Sequence, residues 1–203
     1  TYGGLASVGG TRHWINGLSS DPARREGITP EFGHNYGMFP SNYWDSDPKI
    51  GGSYFGDSLE YGDIFDTMGS GQLPESHFNM YQKRVADWLP EDKINEVEAD
   101  GTYRLYRFDE ADALNNDTLA LRLPLVGDVY YWVGYRYLYP GAGAYVVAEG
   151  LTPDYPYRPN LIDMTPGSAG SEREDRADAT LPVGSSFSEG GVTIEAVAVG
   201  MDG

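Results

Sequence analysis

The chain has 203 residues and a formal charge of −17, from 31 acidic and 14 basic side chains. A field of that sign repels phosphate backbones and anionic lipid, so it argues against nucleic acid as a partner and favours divalent cations. Cys is absent, which removes disulfides, thiolate metal sites and cysteine nucleophiles, and 16 Tyr are too many aromatic rings for a disordered chain. The 27 Gly and 13 Pro point to a fold rich in turns and strands, and no run of ~18 apolar residues suits a membrane span.

Residues 1–17 carry two short apolar stretches between glycine pairs, the pattern of a hairpin or edge strands. Thr29, Pro30 and Glu31 make a helix start, with Thr as cap, Pro in the first turn and an acid near the N-terminus; Gly37 is the stop. Residues 40–71 show little periodicity and read as an irregular loop. In residues 74–89, Phe78, Tyr81, Val85, Trp88 and Leu89 recur at helical spacing, which predicts an amphipathic helix with a core-facing stripe. After Pro90 the texture changes. Short runs rich in Tyr, Val, Leu and Thr at 101–108, 118–125, 129–139, 144–149, 181–187 and 191–199, separated by turn residues, predict an antiparallel sandwich. Residues 166–179 are charged and poor in apolar side chains, so they read as a solvated loop. The pattern places a domain boundary near residue 92.

Chemistry concentrates in Pro30-Glu31-Phe32-Gly33-His34-Asn35-Tyr36-Gly37-Met38-Phe39-Pro40. Glu31 and His34 are three apart and share a helix face. An ExxH pair of this kind supplies the base and one ligand in zinc peptidases, although a surface helix with a Glu and a His has the same pattern. Neither a GxSxG elbow nor a phosphate-binding GxxxxGK[ST] loop is present. His13, beside Trp14, lacks a partner at ligand spacing and reads as a packing or surface residue. His77 opens the 74–89 helix and reads as a cap or core-edge residue. Asp45, Asp47, Asp57, Asp63 and Asp66 crowd residues 40–71; such oxygens suit calcium, but their spacing does not match an EF-hand loop. Asp45 or Asp47 is also a candidate carboxylate ligand for zinc. The ring-rich run Tyr130, Tyr131, Trp132, Tyr135 and Tyr137 reads as core packing, with an aromatic binding face as the alternative.

The stretch resembles the metzincin signature HExxHxxGxxH, with Glu31, His34 and Gly37 on the pattern. YGDIFDTMGSG, with Met68, looks like the Met-turn of that class, and HFNMYQKRVADWL looks like the helix that follows it. GGLASVGGTRHWING resembles the last strands before the ligand helix. The ordered set is most similar to the gametolysin family of secreted metalloendopeptidases. The resemblance implies an α+β fold: the C-terminal part of a metzincin catalytic domain over 1–92, then an antiparallel β-sandwich over 93–203. It implies peptide-bond hydrolysis by zinc-activated water in an extracellular setting, with a protein or peptide substrate. Glu31 is then the general base, His34 a zinc ligand and Met68 the floor of the site. The first and third ligand positions of the pattern are Pro30 and Pro40, which offer no lone pair to a metal. The chain as written is therefore expected to bind zinc poorly and to hydrolyse peptides weakly or not at all. A non-catalytic module acting through the sandwich is the alternative. Pro30 is also expected to start or kink its helix.

Overall fold

The glycine-bounded apolar runs at the N-terminus form a hairpin, as their pattern predicts: β1 (Gly4–Ala6) pairs antiparallel with β2 (His13–Ile15). The computed structural model describes residues 4–16, 28–46, 56–71, 76–115, 117–136, 143–166 and 172–200. Helix α1 (Ile28–Asn35) follows the hairpin. It begins two residues before Pro30, not at it. The proline lies in the first turn, where backbone N–H groups have no intrahelical acceptor, so no hydrogen bond is lost. Gly37, at φ +92°, turns the chain out of the helix, a conformation that glycine reaches without a Cβ penalty. Then come β3 (Asn42–Ser46), β4 (Gly56–Leu59), α2 (Met80–Val85), β5 (Ile94–Glu96), β6 (Ala120–Pro124), β7 (Tyr130–Arg136), β8 (Gly143–Glu149), β9 (Asn160–Ile162), α3 (Glu172–Ala177), β10 (Ser186–Glu189) and β11 (Val192–Glu195).

Seven of these strands form one open sheet in the order β4-β3-β9-β8-β7-β6-β5. It is mixed, not wholly antiparallel: β3 runs parallel to β9, and β5 parallel to β6. The strong alternation in β7 and β8 explains the centre of the sheet. Trp132, Tyr145 and Val147 enter one apolar cluster with Tyr43, Phe65, Met80, Tyr81, Phe108 and Leu161. Tyr131, Val133, Val146 and Ala148 enter another, on the opposite face, with Trp44, Leu121, Leu123 and Ile162. Each fully buried side chain of this size stabilises the fold by roughly 1.5–3 kcal/mol. The antiparallel β10–β11 hairpin covers the second face through Phe187, Val192 and Ile194, with Val97, Tyr103 and Leu105 beside it. Helix α2 lies on the first face. A Cβ on Gly134 of β7 would come within 2.6 Å of the Met80 sulfur, so the bare backbone there is what lets the helix approach.

Several expectations change. Residues 40–71 hold two strands, β3 and β4, paired antiparallel with each other, and β3 also pairs parallel with β9 far along the chain. The helix of 74–89 is confined to Met80–Val85 by Asn79, whose side chain accepts from the Gln82 N–H and caps it; residues 72–75 lie outside the described residues. His77 precedes that helix and bridges the backbone of Asp66 instead. Within 101–108 the ladder is reduced to a bridge between Arg107 and Tyr135. The charged stretch 166–179 contains α3. The sheet and its core both cross residue 92: β3, β4, Phe65, Met80 and Tyr81 come from one side, β5–β9 and Phe108 from the other. The shift in texture at Pro90 marks where strands become dense, not where a core ends.

Candidate functional site

Helix α1 is held from above by the β1–β2 hairpin. Asn35 Nδ2 donates to the carbonyls of Ser7 (3.2 Å) and Arg12 (3.1 Å), and its Oδ1 lies 2.9 Å from His13 Nδ1. The Gly9 N–H donates to the His34 carbonyl at 2.8 Å, and the Phe32 ring meets the His13 ring at 4.7 Å. His13 is thus a helix-docking residue. Glu31 lies under the hairpin: a Cβ on Gly4 would stand 2.4 Å from Glu31 Oε1. Glu31 Oε2 is buried with no hydrogen-bond partner. His34 Nδ1 is 2.8 Å from the Met38 carbonyl. A carbonyl only accepts, so Nδ1 carries the proton and the lone pair of the neutral ring sits on Nε2.

Met68 approaches α1 from below. It is 1% exposed, and a Cβ on Gly33, the residue before His34, would lie 2.3 Å from its sulfur. Two buried aspartates shape the turn that presents it. Asp63 Oδ1 accepts from the N–H of Phe65 (2.9 Å) and of Asp66 (3.1 Å), and Asp63 Oδ2 accepts from the Tyr145 hydroxyl. Asp66 accepts from the N–H of Met68 at 2.5 Å and of Asn79 at 2.6 Å. A Cβ on Gly69 would fall 2.0 Å from the Asp63 carbonyl, so the turn closes only over glycine. Burial raises both carboxyls above their ordinary range. For Asp63 the Tyr145 and backbone hydrogen bonds oppose it, and for Asp66 the charge of Asp63 adds to it. Asp63 and Asp66 are therefore structural groups of the turn and not calcium ligands on its surface. His77 donates from Nδ1 to the Phe78 carbonyl at 3.2 Å, and its pKa is lowered by burial first and by the Lys83 charge second.

The donor set around His34 does not fit zinc. Pro30 and buried Pro40 occupy the flanking ligand positions, and their side chains carry no donor atom for a metal. Among the described residues, the group of three or more His, Asp or Glu side chains that converges on one point is Asp45, Asp163 and Asp175; His34 and Glu31 belong to no such group. Asp45 thus turns away from the role of substitute zinc ligand, and Asp47 lies outside the described residues. Asp57 sits in β4, in register with Asp45. The rings of β7 are packed inside: Tyr131, Trp132 and Tyr135 are buried and Tyr130 is half-buried, with Tyr137 outside the described residues. They form no solvent-facing aromatic row.

Sequence reasoning missed three features. Asn35 pins hairpin to helix, but an Asn at a helix end carries no mark of that role. Arg136 pairs with Asp109 at 3.2 Å, both almost wholly buried, and donates to the Phe65 carbonyl at 2.8 Å; a charge inside the apolar run YYWVGYR was the available signal. Asp163 and Asp175 come together only through the tertiary fold. No family model, curated protein or solved structure matches the chain.

Proposed function

We propose that the chain is a non-catalytic relative of the gametolysin-like metzincins, an extracellular protein whose partner is protein or peptide and whose peptidase site has lost its metal. The observation that carries the reading is the Met68 sulfur lying against Gly33 beneath α1, at the residue next to His34. Two further features support it. His34 is oriented through Nδ1 by a backbone carbonyl, the arrangement that prepares an imidazole to ligate through its other nitrogen. Gly37 turns the chain at the position where the signature requires a turn. Against catalysis stand Pro30 and Pro40. One imidazole with one carboxylate does not fix a tetrahedral zinc, which takes three protein ligands and a water, so no hydrolytic step is assigned to Glu31. The metzincin-like stretch and the strand-rich stretch after it belong to the same proposal as parts that share one seven-stranded sheet, with the β10–β11 hairpin as a second layer.

The test is the zinc content of the purified full chain after dialysis, beside cleavage of a protein substrate with and without chelator. The expected result is far less than one zinc per chain and no chelator-sensitive cleavage. Stoichiometric zinc with chelator-sensitive cleavage overturns the non-catalytic reading. The double variant Pro30→His with Pro40→His should raise zinc affinity by orders of magnitude, since it restores three imidazoles at signature spacing. A folded double variant with unchanged zinc affinity overturns the relation to metzincins itself.

A further inference from the structure

Three aspartates from distant parts of the chain meet beside the β3–β9 pair. Asp45 is exposed on β3, Asp163 directly follows β9, and Asp175 lies in α3. One carboxylate oxygen from each lies within 4.8 Å of the other two. Proximity of acids is common without a ligand, but Asp163 adds an independent fact. It is 0% exposed. Its Oδ1 accepts the Thr165 N–H at 2.9 Å, whereas Oδ2 is buried with no hydrogen-bond partner. A buried carboxylate oxygen without a donor is costly, and a cation is the partner that satisfies it. Asp175 is positioned by the Tyr43 hydroxyl, which donates to its Oδ2 at 2.7 Å.

We propose that Asp45, Asp163 and Asp175 bind one calcium ion, which ties β3 and β9 to α3. The chemistry selects the metal. The group offers hard oxygens only, without the imidazole that zinc or copper prefers. Three converging carboxylates suit calcium, which takes about six to eight oxygens in a flexible shell, better than magnesium, which is held through one or two carboxylates and keeps most of its waters. Exposed Asp45 leaves a path for the ion and for the waters that complete its shell. The site shares no residue with α1 or Met68, and it stands or falls apart from the proposed relation to metzincins.

The test is calorimetric titration of the full chain, stripped with chelator, with calcium chloride and with magnesium chloride, beside thermal melting in each. The expected result is one calcium per chain, a melting temperature that rises with calcium, and magnesium binding at least ~10-fold weaker. Asp163→Asn keeps the Thr165 hydrogen bond and removes the charge; it should weaken calcium binding about 100-fold. Asp45→Asn, at an exposed position that does not endanger the fold, should weaken it about 10-fold and answers the same question if the first variant does not fold. No calcium-dependent shift in the unaltered chain, or wild-type calcium affinity in folded variants, overturns the site. Magnesium binding as tight as calcium binding overturns the choice of ion.

Discussion

At the scale of single residues, the two aspartates of the Met68 turn set a pH dependence. Asp63 and Asp66 are both held above the ordinary carboxylate value of 3.8, by burial first. The folded chain therefore binds protons that the unfolded chain has released. The stabilisation this gives is complete below about pH 4 and is lost as pH climbs through the raised values toward neutrality. The groups facing the pair are the Tyr145 hydroxyl, the Arg136 guanidinium and the Ser41 hydroxyl, and His77, with its lowered pKa, acts in the opposite sense near its own titration. Asp63→Asn keeps the two N–H bonds to its oxygen and offers an N–H to Tyr145. Between about pH 5 and about pH 7.5 its stability relative to wild type should improve by on the order of 1–2 kcal/mol, read by urea unfolding at each pH. A difference that stays constant across that range excludes Asp63 as the titrating group. None of this was legible in the sequence, where Asp63 and Asp66 look like any acids of a Gly-rich loop; their burial follows from where Tyr145 and Asn79 lie.

At the scale of elements, helix α1 depends on a bare backbone at one point. Gly33→Ala would press a methyl group into the Met68 sulfur, and neighbouring buried groups leave that side chain little room. The cost should be about 1–3 kcal/mol, despite the gain in helix propensity that alanine brings. Met68→Ala alone should cost about 2–5 kcal/mol by opening a cavity. Combined, the two changes should cost less than their sum by at least ~0.5 kcal/mol, because each relieves the other. Additive costs in denaturant unfolding would show that helix and turn do not touch. Elements with local signals were readable. The glycine pairs bounding β1 and β2, the alternation of β7 and β8 and the glycine stop after α1 all appear where the pattern placed them. Strand β3 and short β9 were not readable, because the parallel pairing between them is remote in sequence and β9 spans three residues only, although each also has a nearer antiparallel neighbour, β4 and β8. Helix α3 was hidden for another reason: its charged sequence has no apolar stripe to betray a period.

At the scale of the whole molecule, the sheet joins what composition divided. Residues 93–203 expressed alone would lack β3 and β4, baring the edge of β9, and would lose Tyr43, Phe65, Met80 and Tyr81 from the first-face core. That piece should fail to fold cooperatively, giving no sharp thermal transition in circular dichroism. A cooperative melt like that of the full chain would restore the boundary near residue 92. The ExxH spacing was visible in the sequence, whereas Met68 beneath that helix was expected only from the resemblance of its stretch to a Met-turn. The aspartate group was not, because its members converge only once β3 lies against β9. That parallel pairing, Asn42 with Asn160, also sets an order of events during synthesis. Translation proceeds at about 5–20 residues per second, so β3 leaves the ribosome many seconds before its parallel partner β9 exists. Until then Tyr43 and Trp44, both buried in the finished protein, stay uncovered on a nascent chain. The chain's heavy negative charge, of little use to the folded core, keeps such half-made copies apart while they wait.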